Sequence, residues 1–237
     1  MTLFSSHAYQ CHHQRMRRDP HFLFTHVEEE LLSRLSDTSL APQAILNLSS
    51  FPLRFSSEES PYPTDSLPFP DDSFDLVLSC LQAHWVNDLP RLLGHILRCL
   101  RPGGVFLGAL WGGQTLHELR ESFLRSELSL SGGASPRVAP MLQPVHAPLL
   151  LSRAGFENPV TDTETLTVMY GSVWELMQDL RRMGETNALQ ERRKTFSSRG
   201  LFQRMADVYT TAFGDGQGKI PATFEVVYLT GWRAPLE

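Results

Sequence analysis

The sequence predicts an α/β fold with a largely parallel sheet, and three observations carry this. Two segments, FDLVLSC (74–80) and VFLGALW (105–111), are almost wholly apolar, as strands covered on both faces must be. Between them Leu89, Leu92, Leu93, Ile96, Leu97 and Leu100 recur at the three- and four-residue spacing of one helical face. Helix-like and strand-like segments then alternate up to a β-rich stretch at 222–232. The unit 74–111 therefore reads as strand–helix–strand with a right-handed crossover.

In chain order, residues 1–26 hold five of the nine histidines (His7, His12, His13, His21 and His26). They also hold Arg15, Arg17 and Arg18, with no acid before Asp19. That composition fits either an organelle transit peptide or an amphipathic helix with a basic, solvated face. Residues 27–36 read as a short helix with its acids in the first turn. Residues 44–48 read as a short strand, and 49–73, rich in Ser, Pro, Asp and Glu, as loop without regular structure. Asn87 and Asp88 offer an N-cap to the leucine-rich helix, which Pro102-Gly103-Gly104 should end. Thr115 and Glu118 have the spacing of a capping box for a helix to about 130. A Gly/Pro loop (131–148), a short helix closing at Gly155 and a strand at 163–169 follow. Ser172 and Glu175 form a second capping box, and 201–213 is a further helix.

At 237 residues the chain is long enough for one large domain, and neither a linker nor an internal repeat is visible. The reading is a basic segment (1–26) followed by one domain over 27–237, with its core match at 62–111 and its substrate-side elements at 112–237. A net charge of −5 argues against a general nucleic-acid binder. No stretch is apolar for long enough to span a bilayer. Cys11, Cys80 and Cys99 are odd in number and scattered, so neither a disulfide framework nor a zinc site is expected, and a reducing compartment is. No phosphate-binding loop, metal-ligand cluster or nucleophile–base pair is visible, so no metal is expected. Between Arg54 and Arg91 there is no Lys or Arg, whereas Glu58, Glu59, Asp65, Asp71, Asp72, Asp75 and Asp88 are present. Sharing a face, these would attract an arginine-bearing peptide; scattered, they merely keep a loop soluble.

One constellation is specific in its order. Asp65 precedes Leu67-Pro68-Phe69. Asp71-Asp72-Ser73 leads into the 74–80 strand, whose end is followed by His84-Trp85, and Leu100-Arg101-Pro102-Gly103-Gly104 precedes the next strand. In this spacing the whole resembles the second half of a Rossmann-like class I S-adenosylmethionine-dependent methyltransferase. Further motifs narrow the resemblance: Leu81-x-x-His84-Trp85-Val86-Asn87-Asp88-Leu89-Pro90-Arg91, Gly112-Gly113-Gln114-Thr115-Leu116-x-Glu118-Leu119-Arg120, Gly132-Gly133-x-Ser135-Pro136-Arg137, Arg153-Ala154-Gly155-Phe156, Met183-Gly184-Glu185-Thr186-Asn187-Ala188, and the closing Tyr228-Leu229-x-Gly231-Trp232. They are similar to the mitochondrial complex I assembly factor 5 family, described as an arginine hydroxylase, and its bacterial relatives. The match covers about 62–233, with a looser one at 27–48.

The resemblance implies a protein that modifies an arginine on a complex I subunit with S-adenosylmethionine as cofactor, mitochondrial (matrix or peripheral on the inner membrane), or cytoplasmic if the chain is bacterial. It implies cofactor contacts at Asp65, Leu67, Ser79, Cys80 and Leu81. Substrate contacts fall at Trp85, Gly112, Gly113, Thr115, Arg120 and Asn187. His84, Glu118 and Glu185 are the catalytic candidates. Each has a plainer reading: a structural histidine for His84, core packing for Trp85, the capping box for Glu118, pairing with Glu118 or Glu121 for Arg120, and helix capping for Glu185 and Asn187. Gln114 stands where the family motif has an acid. The sequence also departs at the cofactor turn. Ile45-Leu46-Asn47-Leu48 is followed by Ser49-Ser50-Phe51-Pro52, and no glycine occurs before Gly94. Only 18 residues separate Leu48 from Leu67, too few for the helix–strand–helix unit that belongs there. The N-terminal half of the fold is therefore expected to be incomplete. The alternative function is then a catalytically inactive binding or assembly module, or a shortened product lacking a cofactor site.

Overall fold

The computed structural model describes residues 2–15, 21–49, 58–59 and 66–235. Helix α1 (Ser6–Gln14) is capped by the Ser5 hydroxyl, which accepts from the Ala8 N–H. Helix α2 (Phe22–Ser36) starts five residues earlier than its acids suggest. His21 caps it through Nδ1, and Leu23, Phe24, Val27 and Leu31 form its buried face, so Glu28–Glu30 lie mid-helix rather than in the first turn. Strand β1 (Ile45–Asn47) follows. The segment expected to be pure loop contains a two-residue strand, β2 (Glu58–Glu59), paired in parallel with β1.

Strand β3 (Phe74–Cys80) lies where the apolar run predicts. Helix α3 (Leu89–Cys99) is capped by the Asp88 carboxylate, which accepts from the Arg91 N–H at 3.0 Å, and it buries Leu92, Leu93, Ile96 and Cys99. Pro102-Gly103-Gly104 does not end this helix, which stops at Cys99; it lies inside β4 (Leu100–Trp111). Phe74 pairs with Leu100 and Leu76 with Val105, so the extra residues form a bulge that Gly103 permits with φ +79°. Helix α4 (His117–Ser131), α5 (Ala147–Ala154, closed by Gly155 at φ +96°), β5 (Glu157–Tyr170), α6 (Val173–Arg182), α7 (Arg199–Phe213) and β6 (Ile220–Trp232) complete the order. The Ser172 hydroxyl caps α6 as predicted.

The sheet runs β2-β1-β3-β4-β6-β5, with β1 to β4 parallel and β6 antiparallel to β4. Strand β1 keeps its place beside β3, and among the described residues only the two of β2 lie beyond β1. Among the described residues no helix is long and apolar enough to cross a membrane. All three cysteines are free thiols.

The chain divides into two compact units. One comprises 18–112, 142–164 and 226–237, and its core packs α3 and α5 on the β1–β3–β4 face through Leu46, Val77, Leu93, Ile96, Phe106, Leu151 and Phe156. The other comprises 1–17, 113–141 and 165–225. In that unit the Phe123 and Phe202 rings meet edge to face at 5.8 Å, joining α4 to α7. Buried Glu127 of α4 accepts from Nε of Arg137 and from the backbone of Ser135.

Residues 2–15 also belong to this second unit and are not a freely solvated helix. Phe4 bridges Leu189 in antiparallel fashion, the Ser5 N–H donates to the Ala188 carbonyl at 2.8 Å, and Phe4, Ala8 and Tyr9 are buried. Burial holds the His12 imidazole below its ordinary range; a backbone hydrogen bond at Thr186 opposes this, and Arg192 and Arg15 reinforce it. The folded chain therefore binds this proton less readily than the unfolded chain, and stability falls as pH drops below the ordinary histidine value. Between about pH 7.5 and about pH 5.5 the urea midpoint should fall, and His12→Gln should shrink that fall.

Candidate functional site

In an open α/β sheet, ligands collect at the carboxyl ends of the parallel strands. In the first unit this edge is built from the ends of β1, β3 and β4. Asn47 ends β1 fully buried. Its Oδ1 accepts from the Ser49 N–H at 2.8 Å, and the buried Ser49 Oγ accepts from the Cys80 N–H at 2.8 Å. The Leu81 N–H donates to the Ala109 carbonyl, and Leu81 adopts φ +49° although it is not a glycine, a strain of roughly 1 kcal/mol held by the strands around it. Burial, with Glu28 adding to it, pushes the Cys80 thiol far up, so this sulfur is a neutral packing group and not a nucleophile. Ser79 Oγ is buried with no hydrogen-bond partner among the described residues. Past the strand end, His84 and Trp85 sit in a single 3-10 turn. Both are buried, with ring centres 5.2 Å apart, and His84 lies 6.4 Å from Trp111 at the end of β4. Gly112 bridges Leu142 in parallel. Leu67 is buried, and its carbonyl accepts from Arg98 Nη2. Asp65 lies outside the described residues.

The acids of the 71–75 stretch are matched internally. Arg98 pairs with Asp71, Arg233 with Asp72 at 2.6 Å and Arg101 with Asp75 at 2.8 Å. Although burial opposes it, hydrogen bonds from the Ala44 and Gln43 N–H groups and from Arg101 hold the Asp75 carboxyl below its usual range. This stretch therefore presents no shared face of unpaired acids to a basic peptide.

The second unit gathers the other motif. Thr115 and Glu118 do not form a capping box. The residue before α4 is Leu116, at φ +54°, and both side chains turn to β6 instead. Thr115 Oγ1 donates to the Glu225 carbonyl and accepts from the Glu225 N–H, each at 3.0 Å. Glu118 accepts from the Thr223 hydroxyl at 2.5 Å and from the Thr223 N–H at 3.2 Å. The Glu225 carboxylate accepts from the Gln114 N–H. Burial, with Glu118 adding to it, pushes the Tyr209 hydroxyl up, and that hydroxyl donates to the Pro221 carbonyl. Arg120 pairs with neither Glu118 nor Glu121. Its guanidinium donates to the carbonyls of Gly113 and Thr115, burial lowers its affinity for the proton, and Glu121 pairs with Arg125 instead. Asn187 clamps its own loop, donating to the Pro136 carbonyl and accepting from the Leu189 N–H. The Glu185 N–H closes α6 on the Leu180 carbonyl.

The candidates thus fall into two groups, one in each unit. Sequence reasoning assigned no role to Asn47, Ser49 or Thr223, although Pro221-Ala222-Thr223-Phe224 belongs to the resemblance, and it passed over Glu225. A lone acid inside the apolar run ATFEVVYLTGW was the available signal for Glu225.

Residues 57–108 match the family model described as a methyltransferase domain. The fold agrees: a solved structure described as a methyltransferase from Bacillus halodurans aligns over 86% of this chain and 98% of its own, at 13% identity and a TM-score of 0.50. The chain is a methyltransferase-fold protein. It is 38% identical over 219 residues, 90% of its length, to the mitochondrial arginine-hydroxylase NDUFAF5 of Rattus norvegicus. Over 172 residues it is 38% identical to the malonyl-[acyl-carrier protein] O-methyltransferase of Xylella fastidiosa, spanning 73% of this chain and 56% of that protein. The chain spans 61% of the length of the rat relative.

The methyltransferase family implies S-adenosylmethionine as its cofactor, and the strand ends test the fit. The N–H groups of Ser49 and Cys80 are already used by the side chains of Asn47 and Ser49. No glycine stands at 45–49 to let a ligand approach the backbone. The single unpaired hydroxyl of Ser79 is no substitute for a cradle. The described residues at this edge do not fit the cofactor in the fold's usual seat.

Proposed function

We propose that this methyltransferase-fold protein acts in the mitochondrion, in the assembly of respiratory complex I, on an arginine side chain of a protein subunit. The observation that supports this is the likeness to the arginine-hydroxylase NDUFAF5, 38% identical over 219 residues. Such a role takes one of two forms: an enzyme that modifies the arginine with S-adenosylmethionine, or a module that docks the subunit without turnover. The contact of Ser49 Oγ with the Cys80 N–H favours docking for this chain.

A thermal melt with and without excess S-adenosylmethionine separates the two. A ligand at 100 times its dissociation constant adds about 2.7 kcal/mol to the native state. We expect a cooperative transition that does not move. An upward shift would reinstate the enzymatic form and show that Ser49 yields its place to the ligand.

A further inference from the structure

The C-terminal end of α2 and the outer face of the sheet enclose a cavity of about 460 Å³. Its floor is made by alternate residues of β6, Tyr228, Thr230 and Trp232, and by Val160, Thr161 and Asp162 of β5. Arg34, Asp37 and Thr38 of α2 and its C-cap make its wall. Its chemistry is on display, because the chain places one guanidinium there itself. Arg34 lies 3.8 Å above the Tyr228 ring, donates to Asp162 at 2.8 Å and pairs with Glu30 at 2.7 Å. Tyr228 in turn donates to Glu164, which meets His26 at 2.9 Å.

Arg34 does not balance the charge. Among the described residues, Glu30, Asp37, Asp162 and Glu164 line or border the cavity against one arginine, and the Asp37 and Asp162 carboxylates remain largely exposed. Trp232, half-buried at the far end, supplies a second aromatic ring. The segment 157–164 of β5 is also the outermost strand of the sheet, and an edge strand carries backbone groups free to pair with an added strand. Its acids are Glu157, Asp162 and Glu164, and it has no Lys or Arg.

We propose that this cleft is a docking site for an arginine side chain carried on an extended peptide that pairs along the β5 edge. The peptide backbone completes the ladder, and its guanidinium stacks toward Trp232 between Asp37 and Asp162, repeating what Arg34 does on Tyr228. The inference deepens the reading above by giving the arginine-bearing partner a place to bind. It also stands on the cleft's own chemistry.

The probe is an acetylated, amidated pentapeptide with arginine at its centre between Thr and Val residues, titrated calorimetrically into the 237-residue chain. The arginine peptide should bind, and binding should weaken about tenfold or more on Asp37→Asn and on Asp162→Asn. It should weaken similarly on exchanging the arginine for lysine or on N-methylating the peptide backbone. If Asp162→Asn disturbs folding through Arg34, the exposed Asp37 carries the test alone. Absence of binding at millimolar peptide, or binding indifferent to the variants, to lysine or to N-methylation, overturns the proposal. The assay reads peptide binding alone, so its failure leaves the S-adenosylmethionine melt, and the reading that melt tests, standing.

Discussion

Glu118→Ala should lower the stability of the protein by about 3 kcal/mol. The side chain is 2% exposed, and its carboxylate is the described acceptor for both the N–H and the hydroxyl of Thr223. Truncation leaves those donors in a buried strand without a partner, at about 1–3 kcal/mol for each group that water does not reach. The melting temperature of a chain this size should fall by roughly 6–12 °C. Glu118→Gln keeps an acceptor oxygen of the same reach and should recover most of the loss. A melt of the alanine variant that matches the wild type would show that Glu118 is not tied to β6. Loss of peptide or partner binding without any loss of stability would make it a contact residue and not a structural one.

Phe106→Ala should cost about 3–5 kcal/mol, the ordinary loss for a fully buried aromatic. The reason for so high a value lies in two glycines. A side chain on Gly108 would meet the Phe106 ring at 2.6 Å, and one on Gly231, the ladder partner of Phe106, would meet the Phe156 ring at 2.8 Å. The two rings, 5.7 Å apart, occupy the space that side chains at Gly108 and Gly231 would need. Removing one ring leaves a void over glycine backbone, and a close-packed interior relaxes into such a void only in part. Denaturant unfolding should show a lower midpoint with little change in slope. Phe106→Leu should lose markedly less than Phe106→Ala. Equal losses for the two would mean that the void closes by backbone movement.

How far each feature was legible follows from where its cause lies. The β3 strand and the α3 stripe were read to within a residue or two because burial on both faces leaves its mark on every position. The true start of α2 escaped because its cap is a histidine, and β5 was read short because an edge strand alternates Thr and acid with Val and Leu and looks half like loop. Thr115 and Glu118 show a limit of another kind. Their spacing satisfies a local capping rule, yet partners far along the chain, in β6, take both side chains. The Asn47–Ser49–Cys80 chain of hydrogen bonds was invisible for the same reason. The lack of glycine could be read directly, but that the Ser49 hydroxyl takes the Cys80 N–H is a fact of three-dimensional packing.

The place of β6 in the sheet has a consequence for how the chain comes into being. Strand β6 follows β4 and β5 in the chain yet is an inner strand, inserted between them, so Val105 must wait for Trp232 before its ladder closes. Until then β4 and β5 stand as two separate sheet edges, each rich in the apolar and β-branched residues from which misassembly begins. Contacts of such long sequence separation form slowly. The sheet therefore closes only once β6 has been made, and until then the chain depends on whatever keeps unfinished sheets apart.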